Sequence, residues 1–134
     1  MTRSPNRLLA VIIGAAYVLL GFVGFAFAPG VGFAETQGAL LLGVFGVNPL
    51  HNIVHVVVGS ALVIAGLSSV RAARRVNGIV GALLLVLGLA GLYLIGTPFN
   101  LLALTVAANV VHLGSASVLL AVGLGAEQRV TAAA

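Results

Sequence analysis

Three histidines and two asparagines recur at matched spacing in a chain with few other polar side chains. His51 and His55 are four residues apart, which places both on one face of a helix, and Asn52 lies three residues before His55. Asn109 and His112 repeat the relation of Asn52 to His55. Imidazole and carboxamide groups in this pattern suit either hydrogen bonding between helices or the coordination of a ligand.

The first interpretation is structural. Buried Asn amides and neutral imidazoles join helices through hydrogen bonds that each contribute about 0.6 to 2 kcal/mol in a bilayer. Polar groups that pair with one another in this way need no ligand. On this interpretation, His51, Asn52, His55, Asn109 and His112 form an interhelical polar cluster.

The second interpretation is a metal or cofactor site. His51, His55 and His112 supply three imidazoles, enough for Zn or Cu with a water in the open position. Alternatively, His55 and His112 are the axial pair of a haem b held between helices. Either group requires converging nitrogens within about 4 to 5 Å of one another, since each bond is roughly 2.0 to 2.1 Å long.

The sequence offers limited support around such a site. Asn52 and Asn109 are placed to fix the histidine tautomers by accepting or donating the second ring hydrogen bond. No acidic group stands beside the histidines, and Glu35 in the long outer loop is the only candidate. The interhelical interpretation is therefore preferred, and metal or haem binding is the alternative.

The amino-acid composition indicates that membrane-spanning segments position these residues. Of the 134 residues, 61% are hydrophobic and 6% are charged, whereas a soluble domain needs about a quarter of its residues charged. Disorder is excluded by the same figures. The chain has no cysteine, which excludes disulfides and thiolate metal sites. Six scattered arginines form no phosphate-tracking stripe, so a nucleic-acid partner is not expected.

Four apolar stretches are each long enough to cross a hydrocarbon core of roughly 30 Å. They cover about residues 8–28, 49–69, 76–95 and 106–125, and predict an all-α membrane protein with one domain over residues 1–134. Asn48 and Thr105 are the expected N-caps of the second and fourth helices. The outer loop, residues 29–48, should carry a short interfacial segment, because residues 38–47 are too few to span and too apolar for water.

Two offsets bring the chain into register with itself. Shifted by 57 residues, Asn52 lies on Asn109 and His55 on His112. Shifted by 67 residues, three glycines of the first helix lie on three of the third: Gly14, Gly21 and Gly24 on Gly81, Gly88 and Gly91. We interpret the chain as two copies of one helical hairpin, related as a parallel repeat about an axis along the membrane normal.

Every arginine falls on one side of this topology: Arg3, Arg7, Arg71, Arg74, Arg75 and Arg129. The positive-inside rule makes that side cytoplasmic and places both termini there. The cluster of Arg71, Arg74 and Arg75, between the second and third spans, is expected to set topology and to contact anionic lipid headgroups at about 1 kcal/mol per arginine.

The spans contain no Asp, Glu, Lys or Arg, which argues against a transporter that depends on buried charges and against a hydrolase triad. The chain has 18 glycines, and small residues allow close helix packing in lipid. Small-residue faces occur in helix one (Ala10, Gly14), helix two (Ala61, Ala65) and helix four (Ser117, Ala121, Gly125). These features favour a non-enzymatic accessory or structural membrane protein whose partners are lipids and either other membrane subunits or further copies of itself.

The segment from Asn48 to His55, with Gly59 and the later run from Asn109 to His112, resembles a family of small four-helix bacterial membrane proteins. The family is frequent in actinobacteria and cyanobacteria and is catalogued as a domain of unknown function. The resemblance extends from about Arg7 to Gly125 and implies a four-helix fold in the bacterial plasma membrane. Members of the family tend to carry an Asp at the position of Ala108, so any role of that acid is absent here. The resemblance implies no activity.

Overall fold

The computed structural model describes residues 4–126 and contains four long helices. They are α1 (Pro5–Phe27), α2 (Pro49–Ser68), α3 (Val70–Leu94) and α4 (Val106–Ala121), and α4 continues as a π-helical turn, Val122–Ala126. All four are long and apolar enough to cross a membrane. The protein is therefore an all-α polytopic membrane protein, as the composition and the apolar stretches predict.

Each helix begins at a hydroxyl or amide residue whose side chain accepts a hydrogen bond from the backbone N–H three residues later. The four N-caps are Ser4, Asn48, Ser69 and Thr105. Asn48 and Thr105 are the two caps that the sequence predicts. Pro5 and Pro49 follow their caps at the first helical position, where a missing N–H costs nothing.

The third helix begins six residues earlier than the apolar pattern indicates. Arg71, Arg74 and Arg75, expected in a loop, lie instead in the first two turns of α3, and Ser69 alone separates α2 from α3. Arginine and alanine are strong helix formers, and the Ser69 hydroxyl caps the Ala72 N–H. Hydropathy locates the apolar part of a helix, whereas propensity and capping decide where it begins.

The helices pack as two pairs, α1 with α2 and α3 with α4, through glycines on α1 and α3. A methyl group added at Gly14 would lie 2.7 Å from the Gly59 carbonyl oxygen of α2. A methyl group at Gly81 would lie 2.9 Å from Leu120 Cγ of α4. Such backbone proximity supplies the dispersion contacts that hold helices together in lipid. The duplicated hairpin inferred from the 57- and 67-residue offsets stays a prediction.

Between the two pairs lies a small apolar core. Its buried members come from all four helices: Ala10, Tyr17, Leu62, Ala73, Val80, Leu84, Ala116 and Leu119. Most large apolar side chains of the helices instead point outward, as lipid-facing positions require.

The outer loop folds into a short β-hairpin. β1 (Ala39–Leu41) pairs antiparallel with β2 (Phe45–Val47), with Leu40 opposite Gly46. The turn between the strands includes Leu42 and Gly43, both at positive φ. Leu41 and Val47 are buried against Ala28 at the end of α1. The interfacial segment thus docks on the bundle, because a hairpin pairs its own backbone groups where a single extended segment leaves them unpaired.

The described arginines and both ends of the described chain lie at the same end of the bundle. The Arg7 guanidinium donates to the carbonyls of Gly66 (2.8 Å) and Leu67 (3.0 Å), near the end of α2. Arg74 Nε donates to the Gly123 carbonyl (3.1 Å), past the end of α4. We call this end of the bundle the arginine end. The opposite end, which carries the β-hairpin, is called the histidine end. Arg3 and Arg129, which the topology prediction also uses, lie outside the described residues.

Candidate metal centre of three histidines

The three histidines converge at the histidine end. Ring centroids are 4.3 Å apart for His51 and His55, 5.6 Å for His51 and His112, and 6.0 Å for His55 and His112. One nitrogen of each ring lies within 4.8 Å of the corresponding nitrogen of the other two. The first two turns of α2 carry two of the rings, and α4 carries the third. The nitrogens thus lie within the 4 to 5 Å expected from the sequence, and they would approach one another further to share one ion.

All three rings are withdrawn from the surface. The exposed fraction is 1% for His51, 2% for His112 and 9% for His55. Nitrogen atoms buried to this degree need hydrogen-bond partners or a ligand, because a buried unpaired polar group costs about 1 to 3 kcal/mol.

One ring has a partner that fixes its tautomer. His51 Nδ1 lies 3.2 Å from the carbonyl oxygen of Gly46, in β2. A carbonyl oxygen only accepts, so in a neutral His51 the proton is on Nδ1 and the lone pair is on Nε2. The Leu102 backbone lies near the same imidazole. His51 Nε2 is buried and has no hydrogen-bond partner. A metal-ligating histidine has this arrangement, with one nitrogen bonded to a carbonyl and the other available.

The β2 segment whose Gly46 carbonyl orients His51 is itself held by Thr105, at the start of α4. The Thr105 hydroxyl donates to the Val44 carbonyl at 2.9 Å and accepts from the Gly46 N–H at 3.4 Å. The same hydroxyl caps α4 through the Ala108 N–H. Gly46 packs on the backbone at Ala103 so closely that a methyl group there would overlap the Ala103 carbonyl oxygen. The start of α4 therefore fixes the position of β2.

The other two histidines each have one buried nitrogen without a partner. It is Nδ1 in both His55 and His112. The Tyr17 ring of α1 stands edge-on to His55, with centroids 5.2 Å apart and planes at 83°. This contact packs the His55 ring without supplying a hydrogen bond to it. Each of the three histidines thus has a buried nitrogen without a hydrogen-bond partner among residues 4–126.

A small cavity of about 60 Å³ adjoins the three rings. Apart from the histidines, it is lined by Leu20, Leu41, Phe45, Gly46, Val47, Ala108 and Val111. Its apolar side chains offer no donor to the unpartnered nitrogens.

The two asparagines do not take the role that the sequence suggests. Asn52 lies against Gly24 of α1, and Asn109 lies against Gly91 of α3, each amide filling the space that a side chain at the glycine would occupy. Both amides are fully buried, and neither forms a hydrogen bond to a histidine. The expectation that they fix the histidine tautomers is not met, because both point between paired helices rather than toward the cavity.

Glu35, the acidic candidate, is also apart from the cluster. Its carboxylate accepts a hydrogen bond from the Gly32 N–H at 2.9 Å on the exposed outer loop. It is not among the groups that converge with the histidines. The Gly46 carbonyl, rather than an acidic side chain, is the group that orients the His51 ring. Sequence analysis missed it because every residue has a backbone carbonyl and no sequence pattern marks this one.

The geometry bears on the two ligands considered for these histidines, a haem b and a single metal ion. A haem b needs a planar slot between its axial ligands, and the pockets that hold ligands of that size have volumes of about 300 to 1,000 Å³. Here the His51 ring lies within 5.6 Å of both other rings, in the space that a porphyrin would need, and the cavity is about 60 Å³. The arrangement therefore leaves less room for a haem than for a single metal ion.

Comparison with known proteins identifies a family and no individual relative. No curated protein and no solved structure matches the chain. A family model described as a domain of unknown function, DUF4383, matches residues 7–125. That range includes the four helices from the third residue of α1 onward, all three histidines, and Asn52 and Asn109. The chain therefore belongs to the family described as domain of unknown function DUF4383.

Proposed function

We propose that the protein is a non-enzymatic integral membrane protein that binds one transition-metal ion through His51, His55 and His112. The observation that carries this proposal is the convergence of three buried imidazoles, each with a nitrogen that no described protein group satisfies. Neutral imidazole is a common ligand of zinc and copper. Three unpartnered buried nitrogens on neighbouring rings are costly as a purely structural cluster, and binding one ion would relieve that cost.

Binding rather than catalysis is the proposed activity because the surroundings lack acid–base groups. Glu35 is the only Asp or Glu in residues 4–126, and it bonds to the outer-loop backbone. A hydrolytic zinc site needs a metal-bound water with room for a substrate beside it. The small apolar cavity beside the histidines suits retention of an ion better than turnover of a substrate.

The proposal is tested by metal analysis of protein purified in mild detergent from cells grown with added zinc and copper. We expect about one metal ion per chain by elemental analysis, and at least about tenfold weaker binding in each of His51→Ala, His55→Ala and His112→Ala. Val110→Ala is the matched control, since Val110 is on α4 near His112 and is 63% exposed toward lipid. Metal-free protein that also fails to bind added zinc or copper would overturn the proposal.

A second proposal concerns assembly, and it supports the accessory role. Ser117, Ala121 and Gly125 are exposed on one face of the α4 segment, and at Gly114 on the same face an added methyl group would meet no atom within 4 Å. The Ser117 hydroxyl is satisfied by the Leu113 carbonyl of its own helix. We propose that this face packs against another membrane subunit or a second copy of the chain, because small residues let helix backbones approach closely.

Native mass spectrometry after gentle extraction tests the assembly proposal. We expect a species larger than one chain, converted to monomer by Ala121→Leu, which fills the small-residue face. Ile79→Leu, on a lipid-facing large residue of α3, is the control and should leave the assembly unchanged. A monomer in native lipid nanodiscs as well as in detergent would contradict this second proposal.

We further propose that the protein lies in the bacterial plasma membrane with the arginine end in the cytoplasm. The support is the location of Arg7, Arg71, Arg74 and Arg75 at one end of the bundle. A cysteine at Glu35 should react with an impermeant thiol reagent added to intact cells, and a cysteine at Ser69 should react only after lysis. Reaction of both cysteines in intact cells would refute this orientation.

A further inference from the structure

We infer that the site formed by His51, His55 and His112 prefers monovalent copper to zinc and other divalent ions. The inference rests on the proposed function, because it names the ion for the same three nitrogens. Two features of the site carry it: the absence of compensating charge and the number of ligands that the protein supplies.

The charge argument begins with the walls of the cavity. Its apolar side chains are Leu20, Leu41, Phe45, Val47, Ala108 and Val111. Glu35 is bonded on the outer loop, and the described arginines lie at the opposite end of the bundle. No described residue therefore places a carboxylate beside the ion. The desolvation cost of an ion rises with the square of its charge, so an uncompensated divalent cation costs about four times as much as a monovalent one.

The ligand count points to the same ion. Three nitrogens complete a trigonal site for monovalent copper, whereas zinc with three protein ligands takes a water or hydroxide as its fourth. A buried water needs about two to four polar partners. The Gly46 carbonyl is already bonded to His51 Nδ1, and the Leu102 backbone lies near the same imidazole. A zinc-bound water in the apolar cavity would find no acceptor among the lining side chains other than the histidines, and this favours the ion that needs no fourth ligand.

Binding such an ion requires the three rings to approach one another further. A trigonal site with bonds of about 2.0 Å places its nitrogens about 3.5 Å apart, compared with the present limit of 4.8 Å. His51 is fixed by the Gly46 carbonyl, whereas His55 and His112 form no hydrogen bonds that would resist rotation of their rings. On this inference, small side-chain rotations on α2 and α4 bring His55 and His112 toward the fixed ring of His51.

The experiment compares the two ions on the same metal-free protein in detergent. Monovalent copper is added without oxygen in competition with a chromogenic copper(I) chelator, and zinc is added in competition with a chromogenic zinc chelator. We expect one copper(I) ion per chain, bound at least about tenfold more tightly than zinc. X-ray absorption of the copper form should show three nitrogen neighbours, and two in His51→Ala.

A matched pair of variants tests the charge argument by itself. Ala108 lines the cavity, so Ala108→Asp introduces a carboxylate, and Ala108→Asn adds nearly the same volume without charge. Ala108→Asp should shift the ratio of zinc to copper(I) affinity toward zinc by at least about tenfold relative to Ala108→Asn. An equal ratio in the two variants would overturn the inference.

The outcomes also separate this inference from the proposed function. If the unsubstituted protein binds zinc more tightly than copper(I), with loss of zinc in the histidine variants, the choice of copper is wrong and the metal site stands. If neither ion binds, both proposals fail. Copper(I) affinity that is unchanged in His51→Ala would also overturn the inference, because the ion would then not be three-coordinate at this site.

Discussion

The two helical hairpins, α1 with α2 and α3 with α4, use the same contacts at equivalent positions. Asn52 fills the space above Gly24 in the first hairpin, and Asn109 fills the space above Gly91 in the second. At the arginine end, Arg7 bonds to the carbonyl of Gly66, and Arg74 bonds to that of Gly123. These are the pairs that the two sequence offsets relate. One packing solution thus serves both halves of the bundle.

The hairpins differ where the candidate site lies. The position equivalent to His51 in the second hairpin is Ala108, which lines the cavity without filling it. The first hairpin also has the longer outer loop, whose strand β2 carries the carbonyl that orients His51. The equivalent pair, His55 and His112, supplies two of the three converging imidazoles. At the other pair of positions, His51 supplies the third imidazole and Ala108 leaves space beside it. The departure from symmetry is therefore what makes a three-nitrogen site.

The largest expected effect tests the equivalence of the two paired histidines. His55→Ala and His112→Ala should each weaken metal binding by about 100-fold, because each removes one of three ligands. The two losses should agree within a few-fold if the hairpins contribute equally. Competition with a chromogenic chelator measures both. A loss in one variant with full affinity in the other would break the equivalence.

The next effect tests how closely each pair of helices approaches. The first hairpin has Gly59 where the second has Ala116, and a methyl group at Gly59 would lie 2.6 Å from the Gly14 carbonyl oxygen. Gly59→Ala should destabilise the protein by about 1 to 3 kcal/mol through overpacking against backbone. Ala116→Gly, the reciprocal change, should cost only about 0.5 to 1 kcal/mol through helix entropy and lost contacts. Unfolding in mixed detergent micelles measures both, and equal costs would contradict the difference in spacing.

A smaller effect is expected from changes in the β-hairpin of the outer loop, which only the first helical hairpin has. Gly46→Ala places a methyl group against the Ala103 carbonyl and should displace the carbonyl that orients His51. We expect metal affinity to fall about tenfold, as with other losses of a group that orients a ligand. Leu40→Ala in the same β-hairpin is the control, because Leu40 lies opposite Gly46 and its side chain is 54% exposed. An equal effect of both changes would show that the β-hairpin does not orient His51.

The smallest effect is expected at the arginine end. Arg7 donates two hydrogen bonds to carbonyls near the end of α2, whereas Arg74 Nε donates one near the end of α4. A cation at a helix C-terminus contributes about 0.3 to 1 kcal/mol, so Arg7→Gln and Arg74→Gln should each reduce the free energy of unfolding by that order. The loss should be greater for Arg7→Gln. The same detergent unfolding assay compares the two losses in free energy of unfolding. A larger loss for Arg74→Gln than for Arg7→Gln would contradict the prediction.

Sequence reasoning succeeded where the physical cause is local or one-dimensional. The four helices follow from apolar length, and the caps at Asn48 and Thr105 follow from side-chain chemistry at a helix start. It misplaced the start of α3 because hydropathy does not register the helix propensity of an arginine-rich turn. The membrane family was also evident from a short motif, since asparagine and histidine are rare enough in apolar spans to mark positions.

The sequence by itself determined that the chain spans the membrane four times, which end carries the arginines, and which histidines are available as ligands. Only the tertiary structure decided what those histidines meet. It brought the Gly46 carbonyl to His51 through a β-hairpin and turned Asn52 and Asn109 toward glycines of α1 and α3. The physical reason is that hydropathy and capping act between neighbours in the chain, whereas the environment of a buried side chain depends on how closely distant backbones approach.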